Sequence, residues 1–147
     1  MGYEAEPVFL VANVIIYSLD DTSQPNTQAV GAIQRLLDEG AELCTSHHVI
    51  EEVLHITQKL GTVIMVSEVV AEISKIPDLI LVEPAAEIAF AARCAALSEQ
   101  LNMGITDTLV LQLLLDSGIQ RLFSYDLKFV SKSRALGIES VAPQIES

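Results

Sequence analysis

Short apolar runs that end in polar residues set the pattern of this sequence. The first run, Val8-Phe9-Leu10-Val11, carries no charge and is rich in β-branched residues. Such a run is typical of a strand buried on both faces of a parallel sheet. One polar residue, Asn13, separates it from a second apolar segment that closes at Asp20-Asp21. Because chemistry in open α/β sheets gathers where strands end and helices begin, Asn13 indicates a candidate site.

Similar runs recur along the chain, and segments with helical periodicity separate them. The predicted strands are Val8–Val11, Glu42–Thr45, Leu79–Val82 and Arg121–Ser124, with Ser140–Val141 as an edge strand. The predicted helices are a short one ending near Leu19, then Thr27–Glu39, Ser46–Leu60 (ending at Gly61), Glu68–Lys75 (capped by Ser67), Ala85–Leu101 (opened by Pro84), Asp107–Asp116 (capped by Thr106) and Phe129–Ala135. Alternating strands and helices predict an α/β fold with a parallel sheet.

The composition agrees with one globular domain spanning residues 1–147. Half of the residues are hydrophobic but only 5% are aromatic, so we expect an aliphatic core. No apolar run approaches the roughly 18–20 residues of a membrane span, and Glu4 and Glu6 are unlike a signal peptide. We therefore expect a cytoplasmic protein, in which Cys44 and Cys94 are buried apolar residues rather than a disulfide.

The net charge of −12 disfavours a nucleic-acid surface over most of the chain. However, Arg121, Lys128, Lys132 and Arg134 are four of the eight basic residues. With three acidic residues in the same segment, residues 121–147 carry +1, and the preceding chain carries −13. A polyanion could therefore approach the C-terminal segment, although an ordinary solvated face gives the same pattern.

Asp107 is an acid with no simple surface explanation. One and two turns further along its predicted helix lie Val110, Leu111 and Leu114, so Asp107 begins the apolar face of that helix. The predicted polar face of the same helix is Thr108, Gln112 and Asp116. A first-turn Asp also favours the helix dipole, but that benefit is available on the exposed side.

Two more acids are predicted to point toward the same end of the sheet. Glu52 flanks the apolar stripe of its helix, which is Val49, Val53, Ile56 and Leu60, whereas Glu51 lies on the opposite, solvated side. Asp126 follows the strand Arg121–Ser124. Edge and turn acids are common, so each is weak alone. Three acids at three separate strand–helix junctions are together stronger evidence for a site than any one of them.

Converging carboxylates raise one another's pKa unless a cation neutralises them. Oxygen ligands without a Cys or His set suit Mg²⁺ or Mn²⁺ rather than Zn²⁺. The histidines His47, His48 and His55 have no zinc-ligand spacing and are predicted to be polar helix-surface residues. A hard divalent cation beside a phosphodiester can polarise a phosphoryl oxygen and activate water.

Four stretches in order, VFLVANVIIYSLD, TSHHVIEEVL, GITDTLVLQLLL and LFSYDLKF, resemble the PIN-domain family, which includes VapC-like toxins and RNA-processing ribonucleases. The resemblance covers about residues 7–141. It implies a three-layer α/β/α fold with a central, mostly parallel sheet of four to five strands. It also implies an acidic pocket that holds Mg²⁺ or Mn²⁺, and single-stranded RNA as substrate.

Carried over by position, the resemblance assigns the second, third and fourth acids to Glu52, Asp107 and Asp126 as catalytic metal ligands. It assigns the supporting polar residues to Asn13, Ser46 and Thr106.

The first acid of the family pattern falls on Val11, which cannot coordinate a metal. Asp20 and Asp21 lie beyond the following helical segment and are poor replacements. Because this ligand is missing, we expect a ribonuclease fold whose catalysis is impaired. One base change converts an Asp codon to a Val codon, so the valine is either an engineered or accidental substitution or a natural degeneration of the site.

A second hypothesis is a non-catalytic module that binds RNA through Lys128, Lys132 and Arg134, or binds a protein partner. In toxin-like relatives that partner is an antitoxin, which often inserts a basic residue into the acidic pocket, and the charge of −12 suits such a partner. A nucleotide-binding domain is disfavoured because no glycine-rich loop follows the first strand. The resemblance and the aliphatic composition also predict a homo-oligomer.

Overall fold

The computed structural model describes residues 6–60 and 66–141. These residues form five strands and seven helices. The strands are β1 (Pro7–Leu10), β2 (Glu42–Thr45), β3 (Ile80–Leu81), β4 (Arg121–Phe123) and β5 (Glu139–Ser140). The helices are α1 (Ala12–Leu19), α2 (Asn26–Asp38), α3 (His47–Leu60), α4 (Val66–Ile73), α5 (Ile88–Leu101), α6 (Ile105–Ser117) and α7 (Leu127–Ala135).

The five strands form one parallel sheet in the order β3-β2-β1-β4-β5. The central strand β1 pairs on both sides, and Phe9 lies opposite both Cys44 and Leu122. Val8, Phe9 and Leu10 are fully buried, as the unbroken apolar run predicts for a central parallel strand. The predicted parallel α/β architecture is confirmed.

The strands are added to the sheet in two opposite directions, one on each side of β1. From β1 the chain moves outward to β2 and β3, and later crosses back to β4 and β5 on the other side. Right-handed crossovers in opposite directions place their helices on opposite faces of the sheet. In agreement, α1 packs against α2, α3 and α4, whereas α5 packs against α6. The result is three layers, with a crevice where the carboxyl ends of β1 and β4 lie side by side.

The buried residues are mostly aliphatic. The largest fully buried side chains are Phe9, Phe123, Leu10, Ile15, Leu43, Leu111, Leu113, Leu114, Leu122, Ile138, Val8 and Val14. Cys44 and Cys94 are buried and unpaired, as predicted, and burial raises the pKa of the Cys44 thiol to about 12. Within residues 6–60 and 66–141, no helix combines the length and apolarity needed to cross a membrane.

Most predicted helix ends agree with the structure. Gly40 and Gly118 follow α2 and α6 with positive φ, and Asn102 ends α5 in the left-handed conformation. Ser46 caps α3, because its Oγ accepts a hydrogen bond from the backbone N–H of Val49 at 3.2 Å. The predicted stop at Gly61 lies outside the described residues.

Three predicted helix starts are wrong. The helix after Pro84 begins at Ile88 rather than Ala85, because Glu87 is extended and its N–H bonds to the carbonyl of Ala85 in a turn. Thr106 is not a cap, since α6 begins at Ile105 after Gly104. Ser67 lies inside α4, which begins at Val66.

The predicted polar face of α6 is also wrong. Thr108 is fully buried and Gln112 is 8% exposed, although neither faces the sheet by the apolar pattern. The reason is α5, which covers this side of α6: Arg93 of α5 pairs with Asp116 at 2.8 Å, and Gln112 bonds to the same carboxylate. At the end of α3, Leu60 was predicted to be buried but is 67% exposed.

A buried hydroxyl at the end of β2 tests how much one hydrogen bond between β2 and β1 contributes to stability. Thr45 Oγ1 donates to the carbonyl oxygen of Leu10 at 2.9 Å, and Thr45 has no exposed surface. Thr45→Val removes this donor, so we expect the free energy of unfolding in urea to fall by about 1–3 kcal/mol. Thr45→Ser keeps the donor and should lose less. An equal loss in both variants would assign the effect to packing instead of the hydrogen bond.

Candidate functional site

The crevice between the carboxyl ends of β1 and β4 contains a cavity of about 150 Å³. It is lined by Val11, Ala12, Asn13, Ile16, Val49, Glu52, Ile56, Asp107, Val110, Ser124, Asp126 and Phe129. The three acids singled out from the sequence therefore share one pocket with Val11 and Asn13. We call this cavity the acidic pocket.

Each acid reaches the acidic pocket from a different helix. Glu52 lies in the second turn of α3, beside the buried residues Val49 and Val53. Asp107 lies in the first turn of α6. Asp126 is the N-cap of α7, and its Oδ1 accepts hydrogen bonds from the backbone N–H groups of Lys128 at 3.0 Å and Phe129 at 3.2 Å. Glu51 is exposed on the far side of α3, as predicted.

The acids disfavour one another's charged forms. Burial raises the pKa of Glu52, and the negative charge of Asp107 raises it further, while the nearby His48 lowers it. Burial also raises the pKa of Asp107, with a second contribution from Asp126. Asp107 as a whole residue is exposed, not buried as predicted, so desolvation acts only on its pocket-facing side. The ion pairs found among the described residues do not include these three acids.

Val11 forms the wall of the acidic pocket at the end of β1. Its backbone N–H donates to the carbonyl of Phe123 at 3.3 Å, which holds the end of β1 against β4. The residue is 8% exposed and is the N-cap of α1, where it has no side-chain hydrogen bond. A carboxylate at this position would face the other acids. The valine methyl groups supply no ligand there.

Asn13 connects α1 to the turn that carries Asp126. Its Oδ1 accepts a hydrogen bond from the N–H of Tyr125 at 3.2 Å, and its Nδ2 approaches Ser124 Oγ at 3.5 Å. Asn13 thus lines the acidic pocket and contacts the turn before Asp126. Ser46 and Thr106 stand apart: Ser46 is buried as the cap of α3, and Thr106 is exposed in the first turn of α6. Neither lines the cavity.

The basic residues near the C-terminus separate into two kinds. Lys128 and Arg134 are exposed on α7, and Lys128 is two residues from Asp126. Lys132 is half-buried, and its Nζ donates to the carbonyl of Leu101 at 2.8 Å, at the end of α5. Lys132 therefore stabilises a helix end, and its charge is less available to a ligand than the charges of Lys128 and Arg134.

The sequence pattern did not identify Ser124 as a site residue, and it placed His48 wrongly on the surface. Ser124 is 6% exposed, lines the acidic pocket, and its Oγ accepts a hydrogen bond from the N–H of Asp126 at 3.1 Å. Ser124 could have been identified from its position, because it is a polar residue directly after an apolar strand. His48 was predicted to lie on the surface, but it is half-buried and its Nε2 has no hydrogen-bond partner among the described residues.

The donor chemistry of the acidic pocket fits a hard divalent cation. The pocket offers carboxylate oxygens whose mutual repulsion such a cation would relieve. In residues 6–60 and 66–141, however, no group of three Asp, Glu, His or Cys side chains is arranged closely enough to hold a metal ion. The donors fit the ion in kind, while Val11 occupies a wall that provides no oxygen.

Comparison with known proteins agrees with this fold. The PIN domain family profile matches residues 8–135. The chain therefore belongs to the PIN domain family. The structure is also similar to the crystal structure of Mycobacterium tuberculosis VapC20, a toxin that cleaves the sarcin-ricin loop. The TM-score is 0.63 at 17% sequence identity, over 92% of this chain and 99% of that chain. Comparison with curated protein sequences gives no significant match.

The raised pKa of Glu52 predicts a pH-dependent effect on stability. Its folded-state pKa lies above the usual 4.5, so the folded protein binds a proton more readily than the unfolded chain. The resulting destabilisation is absent below pH 4.5 and grows as pH rises through the folded-state pKa. We therefore expect Glu52→Gln to raise the Tm at pH 7 and to leave it unchanged at pH 4. Glu51→Gln, at the exposed neighbour, is the control, and an equal effect of both variants would contradict a destabilisation caused by burial of Glu52 and by the charge of Asp107.

Proposed function

We propose that this chain is a single-domain, metal-dependent PIN-type ribonuclease directed at single-stranded RNA, with catalysis impaired by Val11. The observation that carries the proposal is the acidic pocket, in which Glu52, Asp107 and Asp126 meet the valine. Membership of the PIN domain family supports the class of chemistry. The structurally similar VapC20, described as a toxin that cleaves the sarcin-ricin loop, supports a cleavage reaction of this kind.

Glu52, Asp107 and Asp126 are the residues that would hold Mg²⁺ or Mn²⁺, together with a carboxylate at position 11, because the three acids are not arranged closely enough to form a metal site alone. When bound, such an ion supplies polarisation of a phosphoryl oxygen and activation of water. The chain itself orients the acids. Asp126 is oriented through its helix cap, and Glu52 by the buried face of α3. The aliphatic side chains of Ile16 and Val110 form part of the wall beside the carboxylates.

The exposed cations on α7 support an approach path for the RNA backbone. Lys128 adjoins the acidic pocket through Asp126, and Arg134 lies six residues further along the same helix. Over the rest of the chain the net charge is strongly negative and would repel a polyanion. RNA would therefore reach the acidic pocket from the side of α7, where Lys132 contributes mainly by fixing α5.

Restoring a carboxylate tests the role of Val11. We expect Val11→Asp to raise the affinity for Mn²⁺ by roughly tenfold to a hundredfold, comparable with the effects of altering metal-site surroundings. Cleavage of a single-stranded RNA should rise in parallel. Calorimetry measures the Mn²⁺ affinity, and gel analysis of a labelled RNA measures cleavage.

Val11→Asn is the matched control, because it has nearly the shape of Asp without the charge. It should gain little affinity for Mn²⁺ and no RNA cleavage. Adding Asp107→Asn to the Val11→Asp protein should abolish both gains. If Val11→Asp neither binds Mn²⁺ nor cleaves RNA, the nuclease proposal is wrong.

A second candidate function is a non-catalytic module that binds RNA or a basic protein partner such as an antitoxin. The observation that favours a protein partner is exposed aliphatic surface next to two of the acids. Leu127 is 82% exposed beside Asp126, and Ile105 is 52% exposed two residues before Asp107. A peptide with basic and apolar side chains would suit these neighbours and the overall charge of −12.

Charge reversal on α7 separates RNA binding from protein binding. If two phosphates are contacted, the double variant Lys128→Glu with Arg134→Glu should weaken RNA binding. It should also reduce the slope of log K against log salt by about 1.4. Filter binding over a salt series measures this slope. The control reverses Arg35 and Lys75, which lie on other elements, and should leave the slope unchanged. RNA binding that is absent in the parent at all salt concentrations would favour a protein partner.

Self-association and a cytoplasmic location stay predictions. The surface that supports self-association lies at the β3 edge of the sheet, where Val70, Ile80 and Leu81 are each between 41% and 44% exposed. Beside them, Glu72 is paired with Lys75 at 2.6 Å, so this carboxylate is neutralised locally. The Glu83 carboxylate contacts the ring of His47. A second negatively charged copy would meet less repulsion here than elsewhere.

A further inference from the structure

We infer that Asn13 is a positioning residue that sets the place of Asp126 in the acidic pocket by clamping the turn from Ser124 to Asp126. The inference rests on the proposed metal-dependent function, and it concerns how that site is built. Asn13 lies at the start of α1 and is more than one hundred residues from this turn in sequence. The clamp therefore joins the end of β1 to the end of β4.

The carboxamide contacts the turn with both of its polar atoms. Oδ1 accepts from the Tyr125 N–H at 3.2 Å, and Nδ2 approaches Ser124 Oγ at 3.5 Å. Ser124 Oγ in turn accepts from the Asp126 N–H at 3.1 Å, so the contacts form a chain that ends at the backbone of Asp126. A side chain with one donor and one acceptor group at its tip is required for this pattern, and Asn supplies both.

A second contact from α1 grips the same turn. Tyr17 lies one helical turn after Asn13, so both side chains are on one face of α1. The ring of Tyr17 packs edge-on against that of Tyr125, with centroids 5.3 Å apart, and Phe123 packs on Tyr125 at the same distance. Tyr125 is thus held by its ring and by its backbone N–H.

The clamp matters because Asp126 has little freedom of its own. Its Oδ1 already accepts from two N–H groups at the start of α7, so the carboxylate moves with that helix end. Its other oxygen is then placed relative to Glu52 and Asp107 by the backbone of the turn. Loss of the Asn13 contacts would let this turn open and take the carboxylate with it.

The first test measures backbone amide hydrogen exchange in variants that keep Val11. In Asn13→Ala we expect exchange at Tyr125 and Asp126 to quicken by about fivefold, the usual effect of one lost hydrogen bond. Exchange at Phe129 should quicken with them, because the α7 cap depends on the turn. Asn13→Asp keeps the acceptor oxygen and should retain the protection of the Tyr125 N–H. This second variant tests the clamp if Asn13→Ala folds poorly.

Gln34→Ala is the control. Gln34 is exposed on α2, its Nε2 donates to Asp38 Oδ1 at 2.9 Å, and it does not line the acidic pocket. This variant also removes one side-chain hydrogen bond, and it should leave exchange at Tyr125 unchanged. Unchanged exchange in Asn13→Ala, or equal acceleration in Gln34→Ala, overturns the clamp.

The second test measures Mn²⁺ affinity in the Val11→Asp background. Asn13→Ala should weaken Mn²⁺ binding by about fivefold to tenfold, and this loss should vanish when Asp126→Asn is also present, because Asn13 acts through Asp126. A loss that persists without the Asp126 carboxylate, or no loss at all, overturns the inference while the proposed function stands. If the Val11→Asp parent binds no Mn²⁺, the proposed function fails, and amide exchange alone decides the clamp.

Discussion

The pairing of β1 with a strand on each side is the constraint on which the rest of this structure depends. Because β2 and β4 are reached by crossovers in opposite directions, helices cannot close over the point where the order reverses. The residues that follow β1 and β4 therefore line an open crevice. The acidic pocket, which includes Val11, Asn13 and Asp126, lies at that crevice.

Charge repulsion is the second determinant of the site. Three acids share a cavity of about 150 Å³, and none of the ion pairs found in the described part of the chain neutralises them. Burial and mutual repulsion raise the pKa of both Glu52 and Asp107. The valine at position 11 adds no negative charge to this group. Repulsion among the acids is therefore weaker than it would be with a carboxylate at this position, which links stability to the proposed loss of activity.

Much of the fold and of the site could be predicted from local sequence patterns. Unbroken apolar runs marked the strands, and β2 was predicted to the residue. Helical spacing separated Glu52 from Glu51 correctly. The pattern failed where a second helix covers a surface that looks polar: Thr108 and Gln112 are buried under α5. It also failed for Lys132, because the carbonyl of Leu101 that it bonds lies 31 residues away in sequence.

By itself the sequence determined the parallel α/β class, the apolar core and the candidate acids Glu52, Asp107 and Asp126. These features follow from the composition and periodicity of short segments, which a single strand or helix already expresses. The expectation of an acid at the position of Val11 came only from the resemblance to the PIN-domain family. Only the tertiary structure decided that Asn13 holds the turn before Asp126, and that Ser124 lines the acidic pocket while Ser46 and Thr106 do not. The reason is physical: hydrogen bonds across more than one hundred residues depend on strand order, and no local pattern contains it.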